Sequence, residues 1–143
     1  VCQAVEQLPG NEKVKVILMN TNGNRNRKTD EKIGFRDRMI IGLLRALLPP
    51  HTDNEQAADY LWQNEESFRK VQWTAVRPDN LTIEGHVTDY QCFEAPIRSA
   101  IFDTGKTSRI NVGDFMSRLI LDDHLWNQWR GKMPVIYNQT SVD

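Results

Sequence analysis

The stretch VQWTAVRPDNL (residues 71–81) joins a strand pattern to a polar exit. Val71, Trp73 and Ala75 alternate with Gln72 and Thr74, the two-residue period of an extended chain with different faces. Arg-Pro and Asp-Asn pairs follow directly, and such residues are typical of turns and loops. The stretch therefore predicts a strand that runs into a loop rich in hydrogen-bonding groups. That loop is either an ordinary strand exit or the rim of a ligand site.

Two further strands are predicted around this one. The run VKVILMNT (14–21) is apolar up to its polar end with the one exception of Lys15. This pattern favours a strand covered on both faces, as in a parallel sheet. A short strand is predicted over residues 133–138. Pro134 lies near its start and favours a position at the sheet edge, because proline cannot donate a ladder hydrogen bond.

Helical spacing of apolar residues predicts the intervening helices. A helix is expected over residues 35–48 and is ended by Pro49-Pro50. Asp53 is expected to open the next helix. A last helix is expected after Asn111 as its N-cap, with Gly131 as the stop.

The order strand, helices, strand, helix, strand is typical of an α/β protein with parallel pairing and right-handed crossovers. Only three strands are predicted, whereas a doubly wound sheet has about five or six. We therefore expect residues 1–143 to form a single domain equivalent to the second half of such a sheet. The opening residues VCQAVEQL resemble the end of a helix, so we also expect further sequence in front.

Composition narrows the classes of partner. The 18 basic and 19 acidic residues balance, so no nucleic-acid partner is expected. The longest apolar run, MIIGLLRALL, is interrupted by Arg45 and is too short for a membrane span. The first residues lack a signal-peptide pattern, so we expect a cytoplasmic protein in which Cys2 and Cys92 are reduced thiols. The three histidines are scattered, and no metal is assigned.

The predicted ends of the first two strands carry polar side chains. Asn20-Thr21-Asn22-Gly23 follows the first strand and Arg77-Pro78-Asp79-Asn80 follows the second. Open α/β sheets bind ligands beyond the carboxyl ends of their strands, and adjacent parallel strands would present both groups to one crevice. Polar residues also end most strands because loops must be solvated, so composition alone leaves both interpretations open.

Four segments together resemble a known family. VKVILMNTNG, DNEQAADYL followed by VQWTAVRPDNL, and TSRINVGDFMSRLILDD are similar to the second half of the short-chain dehydrogenase/reductase superfamily. The likeness is to its atypical NAD(P)-binding branch, described as NAD-dependent epimerase/dehydratase-like or NmrA-like, and it covers nearly all 143 residues. It implies an incomplete NAD(P)-binding Rossmann-like fold, NADP or NAD as cofactor, and a small-molecule substrate of unknown identity.

The resemblance also implies a phosphate-binding turn. Members of the superfamily carry G-x-x-G-x-x-G, whose backbone amides meet the pyrophosphate at a helix N-terminus. None of the eight glycines of this chain falls in that pattern. We therefore expect cofactor binding to depend on an amino-terminal half that this chain lacks.

By the same resemblance, the catalytic candidates are Thr21, His51 and Glu55. Typical members use a serine and a Tyr-x-x-x-Lys pair. Asn20 or Thr21 stands at the serine position, and His51 and Glu55 stand where Tyr and Lys would be. His51 could act as an acid near neutral pH, and Glu55 could hold it or a ribose hydroxyl. The alternative is a polar loop residue followed by a carboxylate that the helix dipole favours.

The departure from the catalytic pair keeps a second function open. Tyr60 is followed four residues later by Asn64, not by lysine, so the chain has no Tyr-x-x-x-Lys pair. The chain is therefore either part of an oxidoreductase or epimerase with replaced catalytic groups, or part of a non-catalytic dinucleotide-sensing or regulatory protein.

The remaining site candidates follow the strand ends. The resemblance implies that the cofactor is bordered by Asn20, Asn22, Pro78, Asp79, Asn80 and Leu81. Arg77 and Arg109 are the candidates for substrate binding. Arg77 could equally be a surface partner of a carboxylate, and Arg109 could equally cap a loop carbonyl.

Overall fold

The computed structural model of the chain describes residues 1–24, 26, 49–99 and 102–139. The helix predicted over residues 35–48 lies outside these residues. Strands and helices alternate along the described segments: α1 (Cys2–Glu6), β1 (Val14–Met19), α2 (Pro49–Gln63), a 3-10 helix (Glu65–Ser67), β2 (Val71–Pro78), β3 (Asn80–Thr82), β4 (Tyr90–Phe93), β5 (Lys106–Ser108), α3 (Arg109–Leu121), α4 (Asp123–Trp129) and β6 (Val135–Asn138).

The main sheet has the strand order β1-β2-β6-β4. β1 lies parallel to β2 from the pair Val14↔Val71 to the pair Met19↔Val76. β6 is also parallel to β2, and β4 is antiparallel to β6. A separate parallel pair joins β3 to β5. The prediction of an α/β fold with β1 beside β2 is confirmed.

Helices cover both faces of this sheet because side chains of β2 alternate between them. Trp73 and Ala75 pack in a cluster with Ala58 and Leu61 of α2. Val76 points to the opposite face, into a cluster formed with residues of α3, α4 and β6. The sheet is therefore the middle layer between α1 and α2 on one side and α3 and α4 on the other.

The strand count and the edge assignment differ from the prediction. The described residues contain six strands instead of the three predicted. The additional strands β3, β4 and β5 were not predicted because they are only three or four residues long and show no extended apolar pattern. The prediction that Pro134 marks a sheet edge is wrong, since β6 lies between β2 and β4. Pro134 precedes the strand, and its carbonyl accepts a hydrogen bond from the Arg77 amide at 2.8 Å. A missing N–H at that position leaves the β6 ladder intact.

The start of α2 was also predicted wrongly. Pro49 and Pro50 are its first residues, and Asp53 lies inside it. Proline is tolerated in the first turn of a helix because the amides there have no partner within the helix.

The last predicted helix is two helices. The hydroxyl of Ser108, not the side chain of Asn111, caps α3 by accepting a hydrogen bond from the Asn111 amide. Asp122 then interrupts the segment and caps α4 with its own carboxylate. Gly131 follows the end of α4 with a φ of 71°, a backbone conformation that favours glycine, as predicted.

The polar exit of β2 begins inside the strand, with a fully buried arginine. The Arg77 guanidinium donates hydrogen bonds to the carbonyl oxygens of Met133 at 2.8 Å, Asn24 at 3.0 Å and Glu94 at 3.2 Å. These three carbonyls belong to the segment before β6, the loop after β1 and the loop after β4. Arg77 therefore ties three separate loops to β2.

Replacing Arg77 with methionine should lower the free energy of unfolding by about 3 kcal/mol, because the buried carbonyls lose charged donors. Urea denaturation measures this loss. Arg69→Met is the matched control, since Arg69 is exposed just before the same strand. Equal losses in the two variants would show that Arg77 does not tie the loops together.

Candidate functional site

The carboxyl ends of β1, β2 and β6 lie at one edge of the sheet because these strands are parallel, and we call it the carboxyl edge. The chain after β1 continues alongside β2 beyond the end of the β1–β2 register. The Asn20 amide donates to the Val76 carbonyl at 2.8 Å, and the Asn22 amide donates to the Pro78 carbonyl at 2.9 Å. The residues after β1 are thereby held next to those after β2.

Buried asparagines give the loop after β1 its shape. The side-chain amides of Asn20 and Asn24 donate to the same backbone carbonyl, that of Asn54 in α2, at 3.2 and 3.3 Å. The side-chain oxygen of Asn20, Oδ1, also accepts a hydrogen bond from the backbone amide of Thr21. These bonds join the loop to the beginning of α2 and hold it closed.

Asn22 joins the loop to two residues of other strands and loops. Its Nδ2 lies 3.1 Å from Asp79 Oδ2 and 3.2 Å from the hydroxyl oxygen of Tyr137. We call these three residues the Asn22 cluster. Asn22 is only 5% exposed, and within the described residues its Oδ1 has no hydrogen-bond partner. Exchanging the amide oxygen and nitrogen would leave Nδ2 without a partner instead. One buried amide atom of Asn22 therefore has no hydrogen-bond partner among the described residues, which is uncommon for a buried polar atom.

Asp79 is held by backbone amides. Oδ2 accepts from the Gly105 amide and Oδ1 from the Asn80 amide, each at 2.9 Å. Burial nevertheless raises the pKa of Asp79, against the lowering effect of these hydrogen bonds and of the one from Asn22. Burial also raises the pKa of Tyr137, and the neighbouring charge of Asp79 adds to that rise. Both groups of the cluster are thus shifted towards their protonated forms.

Gly105 packs against the ring of Tyr137. A Cβ atom at this position would lie 2.3 Å from Tyr137 Cδ1 and 2.7 Å from Cε1, closer than any side chain allows. Its amide binds Asp79 from the same position. Only glycine therefore brings this backbone segment close enough to fix both partners of Asn22.

A cavity of about 770 Å³ opens beside Tyr137 and Gly105. This volume lies within the range of small-molecule sites, which is about 300–1,000 Å³. Asn138 and Gln139, at the carboxyl end of β6, belong to its wall. The cavity therefore adjoins both the Asn22 cluster and the carboxyl edge.

The structure brings several of the predicted cofactor-binding residues together. Asn20, Asn22, Pro78 and Asp79 lie at the carboxyl edge within the hydrogen-bonded set just described. Asn80 lies there too, exposed at the start of β3. Leu81 instead packs against the apolar cluster beneath α3.

Two of the three predicted catalytic residues have side chains that the structure describes. The Thr21 hydroxyl accepts a hydrogen bond from the Gly23 amide at 3.3 Å and so closes the turn after β1. Glu55 is buried in α2, with 8% of its surface exposed. The backbone of His51 belongs to the first turns of α2, but its side chain lies outside the described residues.

The two predicted substrate-binding arginines differ in exposure. Arg77 is fully buried, so a ligand could reach its guanidinium only if the surrounding loops opened. Its partners include backbone carbonyls. The two predicted roles of Arg77 were substrate binding and pairing with a surface carboxylate, and neither involves these carbonyls. Arg109 is exposed as the first residue of α3.

Sequence reasoning missed Tyr137 and Gly105 as site residues. Tyr137 falls in the predicted strand 133–138, where period-two alternation places it on one face without showing what it meets. Gly105 lies in the DTGKTS turn, and the glycine alone signals only a loop. Their contact depends on the packing of two distant segments.

Metal and membrane features were sought in the same residues. In residues 1–24, 26, 49–99 and 102–139, no group of three or more His, Cys, Asp or Glu side chains is arranged to hold a metal ion. No helix in these segments has the length and apolar character needed to cross a membrane.

The chain was compared with known proteins. No protein-family model matches it, and no curated protein matches it. Among solved structures, it is similar to SP1627 of Streptococcus pneumoniae TIGR4, a presumed NADH-flavin reductase, with a TM-score of 0.61 and 10% identity over 96% of this chain and 62% of that one. It is also similar to the oxidoreductase ylbE of Lactococcus lactis, with a TM-score of 0.50 and 17% identity over 87% of this chain and 46% of that one.

These likenesses establish the fold. At such low identity they show architecture alone, and the predicted Rossmann-like α/β fold is confirmed. The chain spans less than two thirds of the length of either structure. These likenesses and the mostly parallel sheet lead to the same conclusion: the chain has a partial Rossmann-like α/β fold.

Gly105→Ala should destabilise the protein by about 1–3 kcal/mol, the usual result of overpacking, because the added methyl group meets the Tyr137 ring. Gly85→Ala is the matched control, since a Cβ at Gly85 would meet nothing within 4 Å. Urea denaturation of both variants measures the difference. A Gly105→Ala protein as stable as the control would contradict the close packing.

The raised pKa of Asp79 predicts a pH dependence of stability. Because the folded pKa lies above the ordinary value of 3.8, this carboxyl contributes stability below the unfolded pKa, and the contribution is lost as pH rises through the folded pKa. The stability of Asp79→Asn relative to wild type should therefore increase between about pH 3 and about pH 7. The hydrogen bonds that the substitution removes change this difference in stability by an amount that does not depend on pH.

The measurement is urea denaturation at a series of pH values. Asp89→Asn is the control, because Asp89 is exposed away from the cluster. A difference between Asp79→Asn and wild type that stays constant across this range would exclude the raised pKa.

Proposed function

We propose that this chain contributes the nicotinamide and substrate side of the site in an NAD(P)-dependent oxidoreductase of the atypical short-chain dehydrogenase/reductase type. The observation that carries this proposal is the Asn22 cluster, a buried polar group at the carboxyl edge of a Rossmann-like sheet. Ligands of open α/β sheets bind at that edge. The cavity beside Tyr137 provides room for a small molecule.

The amide atom of Asn22 that has no partner within the described residues supports a nicotinamide at this position. A carboxamide group, like that of nicotinamide, offers both a donor and an acceptor, so it can satisfy Asn22 in either orientation of the side chain. The bound cofactor would supply or accept a hydride. Asp79 lies next to Asn22 with a raised pKa and is the group that could hold a proton there.

The proposal assigns only one end of the dinucleotide to this chain. No G-x-x-G-x-x-G pattern occurs among its glycines, and that pattern supplies the amides for the pyrophosphate in dinucleotide folds. Phosphate binding is therefore assigned to residues outside this chain, and the affinity of the chain alone for NADH or NADPH should be low.

A non-catalytic dinucleotide sensor is the second candidate. It is favoured by Tyr60 on α2 and Asn64 just after the end of that helix, where a Tyr-x-x-x-Lys pair would need lysine at position 64. The Asn64 side chain donates to the Tyr60 carbonyl at 2.8 Å and serves to terminate the helix. In this case the protein would bind NAD(P)H without turning it over.

Cofactor binding is tested by thermal unfolding of the complete natural protein with NADH and with NADPH. A cofactor at about 100 times its Kd should stabilise the folded state by about 2.7 kcal/mol. Asn22→Ala should lose most of this gain, whereas Asn127→Ala, an exposed asparagine on α4, should keep it. No stabilisation of the wild type at millimolar NADH or NADPH would contradict both candidate functions.

Turnover separates the two candidates. The oxidoreductase predicts consumption of NADPH with a carbonyl or quinone substrate, and His51→Ala or Glu55→Gln should slow it if these residues act in catalysis. Unchanged rates in both variants would remove them from the mechanism. Binding without any turnover across such substrates would leave the sensor as the function.

A further inference from the structure

The cavity beside the Asn22 cluster has a wall of which the cofactor proposal uses only Tyr137. Six residues of its lining are Gln91, Phe93, Arg98, Lys106, Tyr137 and Gln139. Among the described residues, the lining includes two cationic side chains and no carboxylate. Such a wall favours a ligand with a negative charge.

Aromatic side chains form one part of this wall. Phe93 of β4 and Tyr137 of β6 lie with ring centroids 5.9 Å apart and planes inclined at 58°. They come from adjacent antiparallel strands, in which Gln91 is the partner of Tyr137. Gln91 and Gln139 add amide groups at the border of this surface. A planar ring can pack on such a surface while polar substituents meet the amides.

The two cations lie on segments separate from these strands. Arg98 belongs to the loop after β4, and Lys106 begins β5. Arg98 has 45% of its side chain exposed, and its contact with Asp103 is long, at 3.8 Å, so this pair is weak. Lys106 is exposed. Both side chains are therefore available to an anion in the cavity.

Asp79, a carboxylate near this wall, already has hydrogen-bond donors of its own. It accepts hydrogen bonds from the amides of Gly105 and Asn80 and from Asn22. Its charge also interacts with Arg98. Because these hydrogen bonds spread the charge of Asp79 over the cluster, it competes only weakly with an anionic ligand for that cation.

We infer that this cavity binds a small aromatic anion, with its ring against Phe93 and Tyr137 and its carboxylate or phosphate between Arg98 and Lys106. That this ligand is the substrate rests on the proposed function. Its binding does not, because the wall is built from residues of this chain and shares only Tyr137 with the Asn22 cluster.

The test is a calorimetric titration of the protein, without NADH or NADPH, with three probes. They are 2-naphthoate, its neutral analogue 2-naphthamide, and decahydronaphthalene-2-carboxylate, which keeps the charge and lacks the aromatic ring. We expect 2-naphthoate to bind most tightly. Changing Arg98 and Lys106 together to glutamine should weaken it at least about tenfold, since the anionic group loses both of its charged hydrogen-bond donors. Binding of 2-naphthamide should change little.

The matched control removes two cations from the opposite edge of the sheet. Arg69→Gln combined with Arg130→Gln lowers the net charge equally, and both residues are exposed. It should leave 2-naphthoate binding unchanged. Phe93→Leu should weaken both aromatic probes and spare the saturated one. Raised salt should weaken both carboxylate probes and leave 2-naphthamide unchanged.

The inference is overturned if 2-naphthoate fails to bind at millimolar concentration, binds no better than 2-naphthamide, or loses the same affinity in the control as in the Arg98 and Lys106 variant. These outcomes leave the dinucleotide proposal standing, because that proposal is tested with NADH and NADPH. Conversely, 2-naphthoate binding in a protein that binds neither dinucleotide would leave this inference intact and remove the oxidoreductase.

Discussion

The buried guanidinium of Arg77 is the interaction on which the carboxyl edge depends. A side chain with five N–H donors is expensive to bury unless those donors are satisfied. Here carbonyls from the loop after β1, the loop after β4 and the segment before β6 each accept a hydrogen bond from one of the three guanidinium nitrogens. All three segments begin or end at strands of one sheet. A single residue of β2 therefore sets the positions of loops that are distant in sequence.

The arrangement of the site follows from this constraint. The loop held at Asn24 also presents Asn22, whose amide reaches Asp79 and Tyr137. On the other side, Gly105 approaches the Tyr137 ring closely enough for its amide to bind Asp79. The result is a buried polar cluster with one unsatisfied amide atom, next to a cavity with aromatic and cationic walls. Polar groups fixed in this way are suited to orienting a ligand with little reorganisation.

The sequence predicts much of the sheet and little of the site's geometry. The apolar run of β1 and the alternation of β2 are local patterns, so their pairing and common carboxyl edge could be anticipated. β3, β4 and β5 are too short to carry such a pattern, and their places depend on pairing partners. Arg77 could be identified as part of the strand exit, but its burial depends on three non-local carbonyls. Tyr137 and Gly105 were missed for the same reason, because their contact joins segments more than thirty residues apart.

The central claim is that the carboxyl edge, fixed by Arg77, is where NAD(P)H binds. Amide hydrogen exchange of the complete natural protein, with and without NADPH, tests it most directly. The account predicts that NADPH slows exchange in residues 20–24 and 78–81. The amino ends of the same strands, residues 13–15 and 69–72, should be unaffected. Slowed exchange at those amino ends, with no change at the carboxyl edge, would contradict the account.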